Sequence, residues 1–324
     1  MAKSLHLKSY QNGCFIKDKM RIAIIDCGTN TFNLLIAQLN QNSFDILYSH
    51  KTPVKLGEGG IEKKIITPAA FQRGFEALEE FKQIYQEFNC LKTYCYATSA
   101  IRNASNGVEF ANEVKEKLNI EISIIDGNRE AELIYKGVKL GVALNNSKSL
   151  IMDIGGGSTE FIIANNSQIF WKRSFEIGAA RLLEIFNPSN PIESIELLNI
   201  INHLKIELNP LYNAINEFGV EELIGSSGSF DTFAEVISIR KNKVLDFSKI
   251  TEYTFDIDEF KEEYDTILSS NLSQRLKTPG IRPIRAEMIV VAAILINFIL
   301  ETLTIKKMRL STYSLKEGVL CELF

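Results

Sequence analysis

The sequence predicts an α/β protein of two domains, each built on a mixed sheet, facing one another across a central cleft. Three observations carry that prediction. Strands follow one another directly at the start of the chain and afterwards alternate with helices, the pattern of sheets that are part antiparallel and part parallel. One local design occurs twice, around 26–31 and around 153–160: an apolar strand ending in an acid, a turn of glycine and hydroxyl residues, and a second apolar strand. The chain of 324 residues is long enough for two cores.

The first strand is Arg21-Ile22-Ala23-Ile24-Ile25, an isoleucine-rich run with the character of a central strand. It runs into Asp26-Cys27-Gly28-Thr29-Asn30-Thr31. Phe32 to Ala37 then resumes as a strand, and Phe44 to Lys51 adds a third. Thr67-Pro68 opens a helix with proline in its first turn, where a missing N–H is harmless, and Phe71, Phe75, Leu78, Phe81 and Ile84 keep helical spacing. Thr93 to Ala97 is a strand leading into Thr98-Ser99-Ala100-Ile101-Arg102. Asn106 is expected to cap a helix ending near Leu118, and Ile122 to Ile125 follows as a strand. Asp126 to Glu132 reads as a turn and helix start, with Glu130 in the first turn, where the helix dipole favours a carboxylate.

The second half opens on Ile151 to Ile163, which contains Asp153, Gly155-Gly156-Gly157, Ser158, Thr159 and Glu160. Three glycines permit positive φ and a close backbone approach to a ligand. Their N–H groups, with the two hydroxyls, could cradle a phosphate. If the turn is tight, Asp153 and Glu160 are cross-strand neighbours roughly 5 Å apart. Carboxylates that close repel one another and favour a divalent cation. A plain hairpin is the bland alternative; the second copy at Asp26 to Thr31 turns the pair into two facing walls.

Gln168 to Phe175 is the third strand of this half, and a helix begins near Gly178. Residues 191–216 carry helical apolar spacing. Glu222 to Gly228 is a strand entering a small-residue turn, with a helix from about Phe230; such a turn suits an anion or a nucleoside, or is only a turn. Residues 257–269 read as a charged, solvated helix. Pro279 to Glu287 carries Arg282 and Arg285 and precedes Met288 to Leu300, thirteen apolar residues that form a buried helix too short to cross a bilayer. Arg309 to Thr312 is a short strand and Leu315 to Leu320 a final helix.

Composition narrows the function classes. A net charge of −4 argues against a general nucleic-acid or membrane-surface binder, so an anionic ligand needs local help from backbone amides, a metal or a few placed cations. Cysteines at 14, 27, 90, 95 and 321 form no C-x-x-C, and the histidines at 6, 50 and 203 are far apart, so a zinc site is not expected. The odd thiol count and the lack of an apolar stretch in residues 1–20 fit a reducing, cytoplasmic setting. Residues 1–19 read as an extension or a misassigned start.

Seven segments taken together carry a family likeness: Ile25 to Thr31, Ala97 to Arg102, Gly127 to Ala131, Asp153 to Glu160, Gly225 to Gly228, Pro279 to Glu287 and Ser314 to Leu320. In that order, over about residues 21–322, the chain resembles the exopolyphosphatase / guanosine pentaphosphate phosphatase (Ppx/GppA) family of the acetate kinase–sugar kinase–Hsp70–actin superfamily. The resemblance implies two actin-like (ribonuclease H-like) domains, residues 20–130 and 131–304, with the C-terminal stretch 305–324 packing back on the first. It implies Glu130 as the water-activating catalytic glutamate, and Asp153 and Glu160 as acids for Mg2+ or Mn2+. Asp26, Gly28, Thr29, Asn30 and Thr31 would form one phosphate loop, and Gly155, Gly156, Gly157, Ser158 and Thr159 the other. Arg102 would be a basic contact to phosphate. Gly225, Ser226, Ser227, Gly228, Arg282 and Arg285 would lie on the nucleoside side of the cleft.

The implied activity is release of orthophosphate from polyphosphate or guanosine pentaphosphate, and a homodimer is a recurrent assembly of such proteins. Cys27, Thr29, Thr31 and Lys316 depart from the family's usual residues without removing this chemistry. The chain stops directly after the family's core, so processive action on long polyphosphate does not carry over as an expectation. Two rivals are an ATP-dependent kinase of the same superfamily, which needs no water-activating acid at Glu130, and a catalytically weak sensor of alarmones or polyphosphate.

Overall fold

The isoleucine-rich runs of the sequence become the middle strands of two sheets in the computed structural model, which describes residues 20–41, 43–247 and 249–323. The extension expected at 1–19 lies outside the described residues. β1 (Met20–Cys27), β2 (Thr31–Leu39) and β3 (Phe44–Pro53) form an antiparallel meander. After α1 (Pro68–Glu87), β4 (Lys92–Ala97) returns parallel to β1. The short α2 (Ser99–Asn103) and α3 (Gly107–Leu118) lead to β5 (Ile122–Ile124), parallel to β4. The sheet order is β3-β2-β1-β4-β5.

α4 (Gly127–Gly141) carries the chain to the second sheet, where β6 (Ser149–Ile154), β7 (Thr159–Ala164) and β8 (Ile169–Phe175) repeat the antiparallel meander. α5 (Ala179–Phe186), α6 (Ser194–Glu207) and α7 (Asn209–Phe218) precede β9 (Glu222–Ser226), which lies parallel to β6. Then come α8 (Gly228–Arg240), β10 (Glu252–Phe255), α9 (Ile257–Ser269), α10 (Leu272–Lys277), a 3-10 turn at Pro283–Arg285, α11 (Ile289–Thr302), β11 (Met308–Ser311) and α12 (Leu315–Cys321). The order β10-β11-β9-β6-β7-β8 matches the first sheet strand for strand from β8 to β11, with β10 added at the edge. The fold class expected from the sequence is the one observed.

Three apolar clusters hold this frame. One lies on the outer face of the first sheet, with Phe81 and Phe110 of α1 and α3 wholly buried. A second packs α5 to α9 and the almost wholly buried α11 on the second sheet. The third joins the inner faces of both sheets through α4 and α12, with Ile24, Ile151, Ile134 and Val319 in contact with one another's cluster. At its centre the two helices cross backbone to backbone. A Cβ added at Gly137 would lie 1.8 Å from the Ser314 carbonyl oxygen, and one at Gly318 would lie 1.8 Å from that of Leu133. Of the 305–324 stretch, Met308–Ser311 pairs inside the second sheet, while α12 lies along α4 and reaches β1.

Several local expectations are corrected. Asn106 stands at the N-cap of α3 but does not cap it; its amide instead holds both the N–H and the C=O of Ile66 at 2.9 Å, pinning the approach to α1. The helical stretch 191–216 is broken at Leu208, because Pro210 can only stand in the first turn of a new helix. α9 is charged but not simply solvated, since Phe260, Glu263 and Ile267 are buried. α2, β10 and α10, each of six residues or fewer, gave too little periodicity to be read.

Candidate active site

The two hairpins meet tip to tip, and an open cleft of about 130 Å³ lies between the sheets behind them. In each hairpin the strand register places one residue opposite the terminal acid of the inner strand: Asn33 opposite Asp26, and Glu160 opposite Asp153. Residues paired across a sheet point to the same face, so Asn33 joins Asp26 in lining the cleft, while Glu160 lies buried beside Asp153 just beneath it. Each turn is closed in the same way. A Cβ at Gly28 would stand 2.8 Å from the Thr31 carbonyl oxygen, and one at Gly155 would stand 2.9 Å from that of Ser158.

The glycine triplet is needed for a reason other than the one expected. None of Gly155, Gly156 or Gly157 has positive φ. What excludes a side chain is crowding: a Cβ at Gly157 would fall 2.5 Å from Ser99 Oγ and 2.7 Å from Thr29 Oγ1, and one at Gly156 would fall 3.0 Å from Thr29 Cβ. Behind the turn, the N-terminus of α5 donates to its carbonyls: Ala179 N–H to Gly155 at 2.9 Å, Ala180 N–H to Gly156 at 2.9 Å and Gly178 N–H to Gly157 at 3.2 Å. With the carbonyls turned back to α5, the amides of Gly156 and Gly157 have no carbonyl acceptor among the described residues and are left to the cleft. In the facing loop, the Asn30 side-chain NH2 is buried and has no hydrogen-bond partner among the described residues. An orphaned donor of that kind is costly unless a ligand accepts from it.

Four carboxylates converge below the turns. Glu130, on the first turn of α4, is almost wholly buried, and its Oε2 accepts from Arg102 Nη1 at 2.7 Å. Burial and the neighbouring Glu160 push its carboxyl above the usual range, and the Arg102 guanidinium pulls it back only in part. Glu160 is pushed up to about 7 by burial and by Asp153, against a 2.7 Å hydrogen bond from Ser174 Oγ. Asp26 is pushed up to about 6, chiefly by burial, despite Lys316 and the 2.9 Å bond from Asn33 Nδ2. Asp153 accepts from Ser226 Oγ at 2.5 Å, Ser227 Oγ at 2.8 Å and Ser314 Oγ at 2.5 Å. Among the described residues no three His, Cys, Asp or Glu side chains are grouped to hold a cation by themselves.

The cleft also carries cations. Lys51 of β3, Arg285 and Lys316 of α12 line it together with Asp231 of α8. Lys51 Nζ stands 3.8 Å from Asp231 and so bridges the two halves. Burial, then Lys316 and Arg285, draw the Lys51 ammonium down, with Asp231 opposing. Burial also draws on Lys316, but Glu317, Asp26 and Asp231 together hold it above the usual lysine range.

Most of the expected residues are brought together here: Asp26, Gly28, Thr29 and Asn30 on one wall, Asp153 and Gly155 to Ser158 on the other, and Glu130, Ser227, Gly228 and Arg285 between. Others are placed differently. Thr31 starts β2 and serves the turn through its carbonyl rather than lining the cleft. The Thr159 hydroxyl donates to the Ile177 carbonyl at 3.1 Å, away from the cleft. Gly225 is a packing glycine, since a Cβ there would enter the Phe230 ring at 2.1 Å. Arg282 is exposed and faces Glu235 at 4.0 Å. Ser226 contributes only through Asp153, and the Arg102 guanidinium is engaged with Glu130 and the Ile125 carbonyl. Lys51, Asn33, Asp231 and Ser314 were not foreseen. Asn33 and Lys51 share one row of the first sheet, so hairpin pairing applied to Asp26 would have found them.

Comparison with known proteins identifies relatives of the whole chain. A Haemophilus influenzae protein provisionally named an exopolyphosphatase is 26% identical over 302 residues, 93% of this chain and 91% of its own length. A guanosine-5'-triphosphate,3'-diphosphate pyrophosphatase of Pseudoalteromonas translucida is 28% identical over 92% of this chain, which spans 58% of that longer protein. The crystal structure of an exopolyphosphatase from Cytophaga hutchinsonii superposes with a TM-score of 0.92 at 39% identity, covering 94% of this chain and 97% of that one. The profile of the Ppx/GppA phosphatase family matches residues 35–324, and the chain belongs to that family.

Proposed function

We propose that the cleft hydrolyses the terminal phosphoanhydride bond of inorganic polyphosphate or of guanosine pentaphosphate, releasing orthophosphate. The observation that carries this reading is the buried Glu130 carboxylate, held by Arg102 beneath two facing glycine turns whose free donors suit a phosphate. The names of the relatives supply the two substrate classes. Residues 20–130 and 131–304 would be the two domains, with Glu130 at their seam.

Phosphoryl transfer asks for alignment and charge neutralisation more than covalent chemistry. The terminal phosphate would accept from the Gly156 and Gly157 amides and the Asn30 amide. Water attacks its phosphorus in line, the bridging P–O bond breaks, and the electron pair stays on the shortened chain. Glu130 accepts the proton of the attacking water, and burial, which raises its carboxyl above the usual range, makes it a stronger base than a solvated glutamate. The rest of the polyanion would extend toward Lys51, Arg285 and Lys316.

Asp153 and Glu160 are the residues that would hold a magnesium or manganese ion. Two facing carboxylates without a closing third ligand fit an ion that completes its shell with water and phosphate oxygens. When bound, such an ion neutralises charge on the phosphate oxygens. The test is phosphate release from both substrates in parallel, with magnesium and then with manganese. Glu130→Gln should lower turnover by about 10²-fold or more while leaving binding measured by calorimetry nearly intact. Retained turnover in that variant would sink the assignment of the base.

A further inference from the structure

Glu176 lies outside the cleft, in the turn between β8 and α5, and none of the chemistry above uses it. Its carboxylate collects donors from both halves of the molecule. Ser99 Oγ of α2 donates to Oε2 at 3.2 Å, and Arg181 Nη2 of α5 reaches the same oxygen at 2.5 Å. Arg102 Nη2 stands 3.7 Å from Oε1. Both arginines have a second nitrogen committed to the site: Arg102 Nη1 to Glu130 at 2.7 Å, and Arg181 Nε to the Gly157 carbonyl at 2.9 Å.

We propose that Glu176 is a positioning residue, a latch that fixes the phosphate turn at Gly157 and the Arg102–Glu130 pair relative to one another. This rests on the reading of Glu130 as the water-activating acid. A bland surface ion pair is the alternative, since the Glu176 side chain is 46% exposed and exposed pairs contribute little to stability. The arginines it joins are not exposed, however, at 15% and 13% for Arg102 and Arg181. Nor do the three donors come from one segment; they come from two helices on opposite sides of the cleft. Two groups that must act on one phosphate are therefore tied through a single carboxylate. A displacement of even about 1 Å between such groups is enough to cost a large part of the rate.

The latch makes a kinetic prediction that a surface pair does not. In Glu176→Ala, kcat should fall about tenfold, while KM changes little, because Lys51, Arg285 and Lys316 are untouched. Glu176→Gln keeps an oxygen for Ser99 and Arg181 and should recover most of the loss. Arg181→Ala should reproduce the Glu176→Ala defect, and the double variant should be no worse than the more damaged single one. Hydrogen–deuterium exchange gives a readout that needs no turnover: amides of residues 155–158 should exchange faster in Glu176→Ala than in the parent. Unchanged exchange in that turn, an unchanged kcat or strictly additive losses would each overturn the latch. Glu130→Gln, assayed alongside, tests the base separately: if it stays active the base assignment falls, while the exchange measurement still decides whether Glu176 holds the turn.

Discussion

The two hairpins share one geometry and differ in what stands opposite the acid. Across the first sheet the row reads Lys51, Asn33, Asp26; across the second it reads Ser174, Glu160, Asp153. The first row balances its charge internally, with an amide on Asp26 and an ammonium beyond it. The second carries two carboxylates and only hydroxyl partners, so nothing of opposite charge lies within the row. The two hairpins thus share a backbone cradle and differ in charge. The cations that act on the second row come from outside it: Arg102 on Glu160, and Arg285 and Lys316 on Asp153.

Making the rows alike should have the largest effect. Glu160→Asn copies the Asp26–Asn33 pair into the second hairpin, and activity should fall by about 10²-fold with a sharply raised magnesium requirement. An unchanged metal titration would remove Glu160 from cation binding. A symmetric pair of changes tests the shared cradle: Gly28→Ala and Gly155→Ala place a Cβ 2.8 Å and 2.9 Å from a carbonyl oxygen of the same turn. Each should cost a similar 1–3 kcal/mol or so of stability in urea unfolding; a difference larger than that range would show that the turns are not equivalent. Lys51→Met leaves the second row untouched, so KM should rise several-fold, roughly the loss of one desolvated charge contact, with the metal titration unmoved.

The smallest effect is on stability against pH. Asp26 and Glu160 have folded pKa values of about 6 and about 7, both above their unfolded values, so the folded protein binds more protons between about pH 4 and pH 7. Stability from these groups is present below the unfolded pKa and is lost as pH rises through the folded one. The metal-free protein should therefore melt about 3 °C or more lower near pH 8 than near pH 5.5. Added magnesium should recover more of that loss at the higher pH, and Glu160→Gln should flatten the dependence. A melting temperature that rises with pH would contradict the acid pair as described.

What was legible in the sequence was local. Asp153 and Glu160 face one another because a tight hairpin fixes register within a few residues, and the mixed character of the sheets followed from the antiparallel-then-alternating pattern. The glycine triplet was recognised, but its cause was not: crowding by Thr29 and Ser99 comes from distant parts of the chain, in the opposite half of the molecule, and leaves no local trace. For the same reason Asp231 and Glu176 escaped notice, since their partners belong to the opposite half. Thr159 and Gly225 were misread because a hydroxyl or a glycine beside a ligand looks, in sequence, like one that serves packing.

At Gly137 and Gly318 the two central helices meet backbone to backbone, so neither position takes a side chain unless the helices move apart. Lys316 lies two residues from that point, and Glu130 seven residues along α4, about 10 Å at the helical rise. A side chain forced in at either glycine would therefore disturb a cleft cation and the candidate base together, from a point outside the cleft itself.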